Sequence, residues 1–291
     1  MPRRIEAHPF FRPDREELRY LPECPRVFGN SLIWISIQYA ADQPRGGINV
    51  LDIASGQNVH HPLPGRPGFF AETDHPGKLV IGLERRLVLF DLARAEIVDT
   101  LAHISEDERV IINDGLAIPG GLIFGTKHLA FSLPIAALYH YDNATRQVRE
   151  LRGGQICSNG KFFHDDILID IDTQPKTITE YRYDGALHRL RLITTPANLP
   201  ALPDGMRPSP TGDSIVVAYY NPAPVPDGLA QQIRLSDGEV LTEWILPGSP
   251  RVTCPEIAGG YVYFTTAVEG MPEATRSLAP HAGTIFRALV G

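Results

Sequence analysis

Gly29-Asn30-Ser31-Leu32-Ile33-Trp34-Ile35 sets a turn dipeptide ahead of a run of β-forming residues, and the same phrase returns five more times in this 291-residue chain. The later copies are Lys78-Leu79-Val80-Ile81-Gly82, Gly121-Leu122-Ile123-Phe124-Gly125, Asp166-Ile167-Leu168-Ile169-Asp170, Ser214-Ile215-Val216-Val217-Ala218 and Gly260-Tyr261-Val262-Tyr263-Phe264. From Ser31 onward their starts are 47, 43, 45, 48 and 46 positions apart. Each is followed by a second short strand, such as Ile48 to Asp52 or Leu87 to Asp91. A fixed period of about 40–50 residues with several strands per unit is the mark of a β-propeller. The expected fold is therefore all-β: a six-bladed β-propeller with four-stranded blades around a central channel. Innermost strands of such a ring converge, so residues one period apart meet at the channel.

Residues 1–14 read as an N-terminal extension and residues 15–291 as a single propeller domain. Ile285-Phe286-Arg287 ends the chain at an early strand of the cycle, so the N-terminal segment is expected to supply a strand to the last blade and remove a free edge. No helix of three turns with an apolar stripe is present. Pro13 to Tyr20 reads as one turn, and Glu269 to Leu278 as a short excursion.

The net charge of −7, with Lys and Arg scattered, gives no basic run for nucleic acid or an anionic membrane. No window has the apolar length to span a bilayer. The segment from Met1 shows no apolar stretch behind its charges, so no signal peptide is visible. Three cysteines, Cys24, Cys157 and Cys254, form a sparse, odd set, which points to a reducing compartment. They read as small buried residues of inner strands. These features predict a cytoplasmic protein without a nucleic-acid or membrane partner; a monomer or homodimer with a small-molecule substrate is the expected state, which composition does not itself decide.

About eight to eleven residues before each strand phrase lies the innermost strand. There the chain reads Glu23-Cys24-Pro25, Asn113-Asp114-Gly115, Asn159-Gly160, Asp204-Gly205 and Thr253-Cys254-Pro255, while the second repeat offers Gly68-Phe69-Phe70. Asn-Gly and Asp-Gly are common hairpin turns. The chain's ordinary hairpin turns, Asp184-Gly185 and Asp237-Gly238, fall late in the blade, whereas these polar residues recur early and at one phase. Oxygen ligands from Glu23, Asn159 and Asp204 would form a site of net charge −2 for one divalent cation: calcium first, with magnesium, manganese or zinc as alternatives. No Gly-x-Ser-x-Gly elbow supports a serine nucleophile. His60-His61 and His164 read as solvated positions beside turns, Asp165-Asp166 as a turn, and Gly46-Gly47 and Gly120-Gly121 as hairpin turns.

At these motifs the chain resembles the senescence marker protein (regucalcin), gluconolactonase and luciferin-regenerating enzyme family. The matching residues are Glu23-Cys24-Pro25, Asn113-Asp114-Gly115 with Gly125-Thr126, Ser158-Asn159-Gly160 with Ile171-Asp172-Thr173, Pro203 to Met206, and Tyr263 to Ala267. The resemblance implies metal ligands at Glu23, Asn159 and Asp204, with Asn113 close to metal and substrate and Asp204 also the general base. It implies hydrolysis of lactones of sugar acids by metal-activated water. The chain departs from the pattern at Cys24, where the family has Gly. It departs again at Ile111, where sugar-lactone members often have Arg, and in the apolar stretch after Lys127-His128. Asn113, Ile111, Lys127 and His128 are thus the candidate substrate contacts. Ile111, Phe69, Phe70 and Leu129 suggest an apolar wall and a less hydroxylated lactone or ester. A non-catalytic, metal-stabilised propeller serving as a binding or interaction module is the competing class.

Overall fold

The repeated phrase forms the second strand of each of six sheets in the computed structural model, which describes residues 1–194 and 196–290. The innermost strands are Pro22–Phe28, Pro67–Glu72, Val110–Ile118, Ser158–His164, Leu202–Pro208 and Val252–Ala258. Each opens a four-stranded antiparallel meander, and the fold is a six-bladed β-propeller as expected. The short helices among the described residues are Glu16–Arg19, Pro196–Asn198 and Glu273–Arg276. The first and last of them fall in the two segments expected to leave the sheets. Among the described residues no helix is long and apolar enough to cross a membrane.

The chain divides into two compact units. Residues 1–66 together with those from 197 onward carry blades one, five and six, and residues 67–196 carry blades two, three and four. Alternation of apolar residues along each strand buries one row on either side of a blade, so neighbouring blades within a unit share a core. In the first unit Trp244, Val216, Phe264, Phe286 and Ala7 pack together, and Trp34, Leu51, Tyr263, Ile285 and Leu18 form a second cluster. In the second unit Ile123, Leu138, Leu168 and Tyr181 pack together.

The N-terminal segment supplies two strands. His8–Phe11 completes the last blade by pairing antiparallel with Ile285–Leu289, His8 opposite Arg287, as the strand count requires. Arg3–Glu6 adds a parallel fifth strand to blade five, against Val240–Leu246. That second pairing is not signalled by a four-residue, charge-rich segment.

Two local expectations are corrected. Gly47 is no turn residue: it opens the strand Gly47–Asp52, because the preceding connection runs on through residues 37–46. The space left by its missing Cβ is occupied by the His60 ring. His60 is consequently half-buried rather than solvated, held between the Tyr39 hydroxyl at 2.8 Å and Asn49 Oδ1 at 3.0 Å. Burial, helped by Arg15, pushes its pKa down to about 4. Gly120, at φ +78°, and Asp165-Asp166, at φ +45° and +63°, do form turns.

Removal of residues 1–11 exposes the edges of two blades and takes Phe10 and Phe11 from the Trp34 cluster. The expected loss is at least about 3 kcal/mol, from two partly buried aromatic side chains plus the ladder they ride on. Chemical unfolding of the truncated chain measures it.

Candidate functional site

Every innermost strand breaks register with its neighbour at one place. The shifts fall between Glu23 and Arg26, Pro67 and Phe69, Ile112 and Asp114, Asn159 and Lys161, Pro203 and Met206, and Val252 and Cys254. A bulge sets an extra residue against its partner strand, bends the chain and re-aims a side chain. Glu23, Asn113, Asn159 and Asp204 each lie in or beside such a bulge. Asn159-Gly160 and Asp204-Gly205 are therefore strand residues, whereas Asp184-Gly185 and Asp237-Gly238 are turns, with glycines at φ +99° and +75°.

In the first unit, Glu23 Oε2 accepts the Cys24 N–H at 2.8 Å. Cys24 holds φ +50°, a conformation that favours glycine. Gly205 backs onto Cys254, so close that a Cβ there would fall 2.5 Å from Sγ. Asp204 is buried, and its charge helps raise the pKa of Tyr220 beyond the main effect of burial. The Tyr220 hydroxyl donates to the Glu269 carbonyl at 2.7 Å. The buried Arg251 donates to the same carbonyl and lies 5.4 Å over the Tyr220 ring. Beneath the bulges, Arg207 donates to the Met206 carbonyl at 2.5 Å and to Glu256 Oε2 at 3.2 Å. Arg26 donates to the Pro25 carbonyl at 2.9 Å and reaches Glu256 at 3.9 Å.

In the second unit, Asn113 Nδ2 donates to the Ser158 carbonyl at 2.9 Å. Asn159 Nδ2 donates to Thr173 Oγ1, and its Oδ1 accepts the Gly160 N–H, both at 3.1 Å. Lys161 donates to the Asn159 carbonyl at 2.6 Å and forms a buried ion pair with Asp170 at 3.3 Å. Asp170 also accepts from Gln155 at 2.6 Å and from Ser158 Oγ at 3.1 Å. Ser158 thus braces the strand. Burial pushes the Asp170 carboxyl up to about 6 against the opposing pull of Lys161, and likewise raises Asp114.

Residues 21–268 match the SMP-30/Gluconolactonase/LRE-like region. The chain belongs to that family. Among its relatives, an L-arabinolactonase of Azospirillum brasilense is 24% identical over 240 residues, 78% of this chain and 75% of that protein. Among solved structures, a calcium-binding regucalcin of Agrobacterium tumefaciens superposes with a TM-score of 0.84 at 20% identity, over 99% of this chain and 95% of its own. A gluconolactonase of Xanthomonas campestris gives a TM-score of 0.69 at 15% identity, over 94% and 86%.

The remaining family-derived positions lie in blade three. Ile111 is buried and pairs with Lys127 across the sheet. Lys127 Nζ sits 5.4 Å over the Phe131 ring. His128 Nδ1 accepts the N–H groups of Ser132 and Leu133 at 3.2 and 3.0 Å, fixing the loop that follows. Phe69, expected in an apolar wall, belongs instead to the core: it stacks on Phe124 at 6.2 Å and fills the space beside Gly115. The residues missed from sequence are the ones underneath: Lys161, Asp170, Arg207 and Glu256, with Tyr220 and Arg251 beside them. A cation two or three places after Asn159, Asp204 and Glu23 was the available signal.

Asp170 titrates higher when folded than its unfolded value of about 3.9, so protonation favours the folded state. Its contribution is full below pH 4 and is lost as pH rises through about 6. Asp170→Asn is expected to flatten stability between those values, as chemical unfolding across that range reads directly. Lys161→Met strands the Asp170 charge and is expected to cost about 3–5 kcal/mol at neutral pH.

Proposed function

We propose that the chain is a divalent-metal-dependent hydrolase that opens a lactone with water. The observation that carries this reading is the placing of Asp204 and Glu23 at matching bulges of innermost strands in one unit. Asn159 joins them on the strength of its Ser158-Asn159-Gly160 motif. Among the described residues no three His, Cys, Asp or Glu gather as a metal cluster. The proposed set needs none, since it joins two carboxylates to one amide. All three donors are oxygens, which suits a hard cation, calcium first. The Agrobacterium neighbour's description as calcium-binding points the same way.

A bound ion would supply polarisation of the lactone carbonyl and a more acidic water. Asp204 takes a proton from the attacking water as the new C–O bond forms. When the tetrahedral adduct collapses, the ring C–O bond breaks and the ring oxygen leaves with that proton as the product's hydroxyl. Asn113, whose amide N–H is held by Ser158, offers its oxygen to a substrate hydroxyl. The names of the arabinolactonase and gluconolactonase relatives support the lactone class. The donorless Ile111 favours a lactone or ester with fewer hydroxyls than a sugar lactone.

Chelation is expected to abolish hydrolysis, and readdition of calcium to restore it. Metal at a hundredfold excess over its dissociation constant should stabilise the fold by about 2–3 kcal/mol, a gain absent in Asp204→Ala. Full activity after chelation, or in Asp204→Ala, would overturn the reading. A thermal gain without hydrolysis of any lactone or aryl ester would favour the binding-module class instead.

The unsubstituted six-membered lactone is expected to show a higher kcat/KM than gluconolactone, each missing polar contact being worth about 1–3 kcal/mol. The opposite preference would return the substrate to the sugar lactones.

A further inference from the structure

The first unit holds a cavity with charged and apolar lining, none of whose side chains belongs to the set assigned above. It is an open cleft of about 200 Å3 beside the blade-six excursion, lined by Arg12, Glu16, Arg19, Met271, Arg276 and Pro280 among others. Three guanidinium groups and one carboxylate give that lining a formal charge of +2, in a chain whose net charge is −7. Such a local concentration of one sign draws counter-ions toward the cleft.

The chain itself supplies little counter-charge. Arg12 donates to neutral acceptors, the Pro280 carbonyl at 2.9 Å and Thr284 Oγ1 at 3.4 Å. Neither Arg12 nor Arg19 pairs with a carboxylate among the described residues. Arg276 is shared between Glu16 at 3.2 Å and Glu273 at 3.3 Å, two carboxylates that are 71% and 86% exposed and so weakly held. Its Nε is buried and has no hydrogen-bond partner among the described residues. Partial burial, with a smaller effect from the nearby Arg19 charge, holds the Arg12 pKa below its usual value.

The cleft is also built to keep its shape. Gly283, at φ +77°, lies against Arg19, and a Cβ there would come within 2.6 Å of the Arg19 carbonyl oxygen. Met271, Ala279 and Ala282 form a small apolar floor with Val268. We propose that this cleft binds a small oxyanion, a phosphate monoester or free phosphate, through Arg12, Arg19 and Arg276. Guanidinium forks match the oxygens of phosphate, and a +2 lining matches a dianion better than a single carboxylate.

Calorimetric titration of the full chain with inorganic phosphate and with glucose 6-phosphate, at constant ionic strength in chloride, tests this. Saturable one-to-one binding is expected, weakened about tenfold or more by Arg19→Gln and by Arg276→Gln. Glu16→Gln, an exposed change that removes the lining's one carboxylate, is expected to tighten it. Tighter binding of glucose 6-phosphate assigns the cleft to a phosphate ester, and equal affinity assigns it to the free ion. Absence of saturable binding by either probe overturns the proposal. So does an affinity that neither Arg19→Gln nor Glu16→Gln changes.

Discussion

An extra residue in every innermost strand is the constraint on which the rest depends. A bulge takes backbone carbonyls out of the ladder, and a buried carbonyl without a donor is costly. Three cations answer it: Lys161 at the Asn159 carbonyl, Arg207 at Met206 and Arg26 at Pro25. Cations brought inside need counter-charges in turn. Asp170 serves Lys161, and Glu256 serves both arginines. The charged layer beneath the candidate site is thus a consequence of the bulges, built separately within each unit.

That layer sets the size of its neighbours. Gly125 lies against Ser158 Oγ and near Lys161, and Gly205 lies against Cys254. Each glycine is there for close approach, with no turn to make. Cys24 shows the opposite case. It keeps the left-handed backbone of a glycine position while carrying a side chain, because the Cys24 N–H must still reach Glu23. Within each unit the motif residues and the layer below them form one mechanical piece.

Much of this was legible in the sequence, for physical reasons that differ by level. The strand phrases are local and periodic, so their spacing predicts six blades. The polar residues at one phase are visible because Asn-Gly and Asp-Gly stand out against apolar strands. His60 was misread because its burial depends on a missing Cβ at Gly47 and a hydroxyl from Tyr39, contacts that no local pattern encodes. Phe69 was misplaced for a similar reason: its slot is cut by Gly115 in the next blade. Lys161 and Arg207 read as ordinary surface charges until the bulges supply a reason to bury them.

The closure of the last blade by His8–Phe11 also governs the order in which the strands assemble. Arg3–Glu6 and His8–Phe11 have their partners at Val240–Leu246 and Ile285–Leu289, far downstream in the same chain. Pairings so distant in sequence form late, because the intervening chain must be ordered before they are rewarded. Until then blade six has no fourth strand, and the N-terminal residues stay outside the sheets. Chains still folding therefore carry open strand edges until these pairings close, the period in which a chaperone or a misdirected neighbour can pair with them.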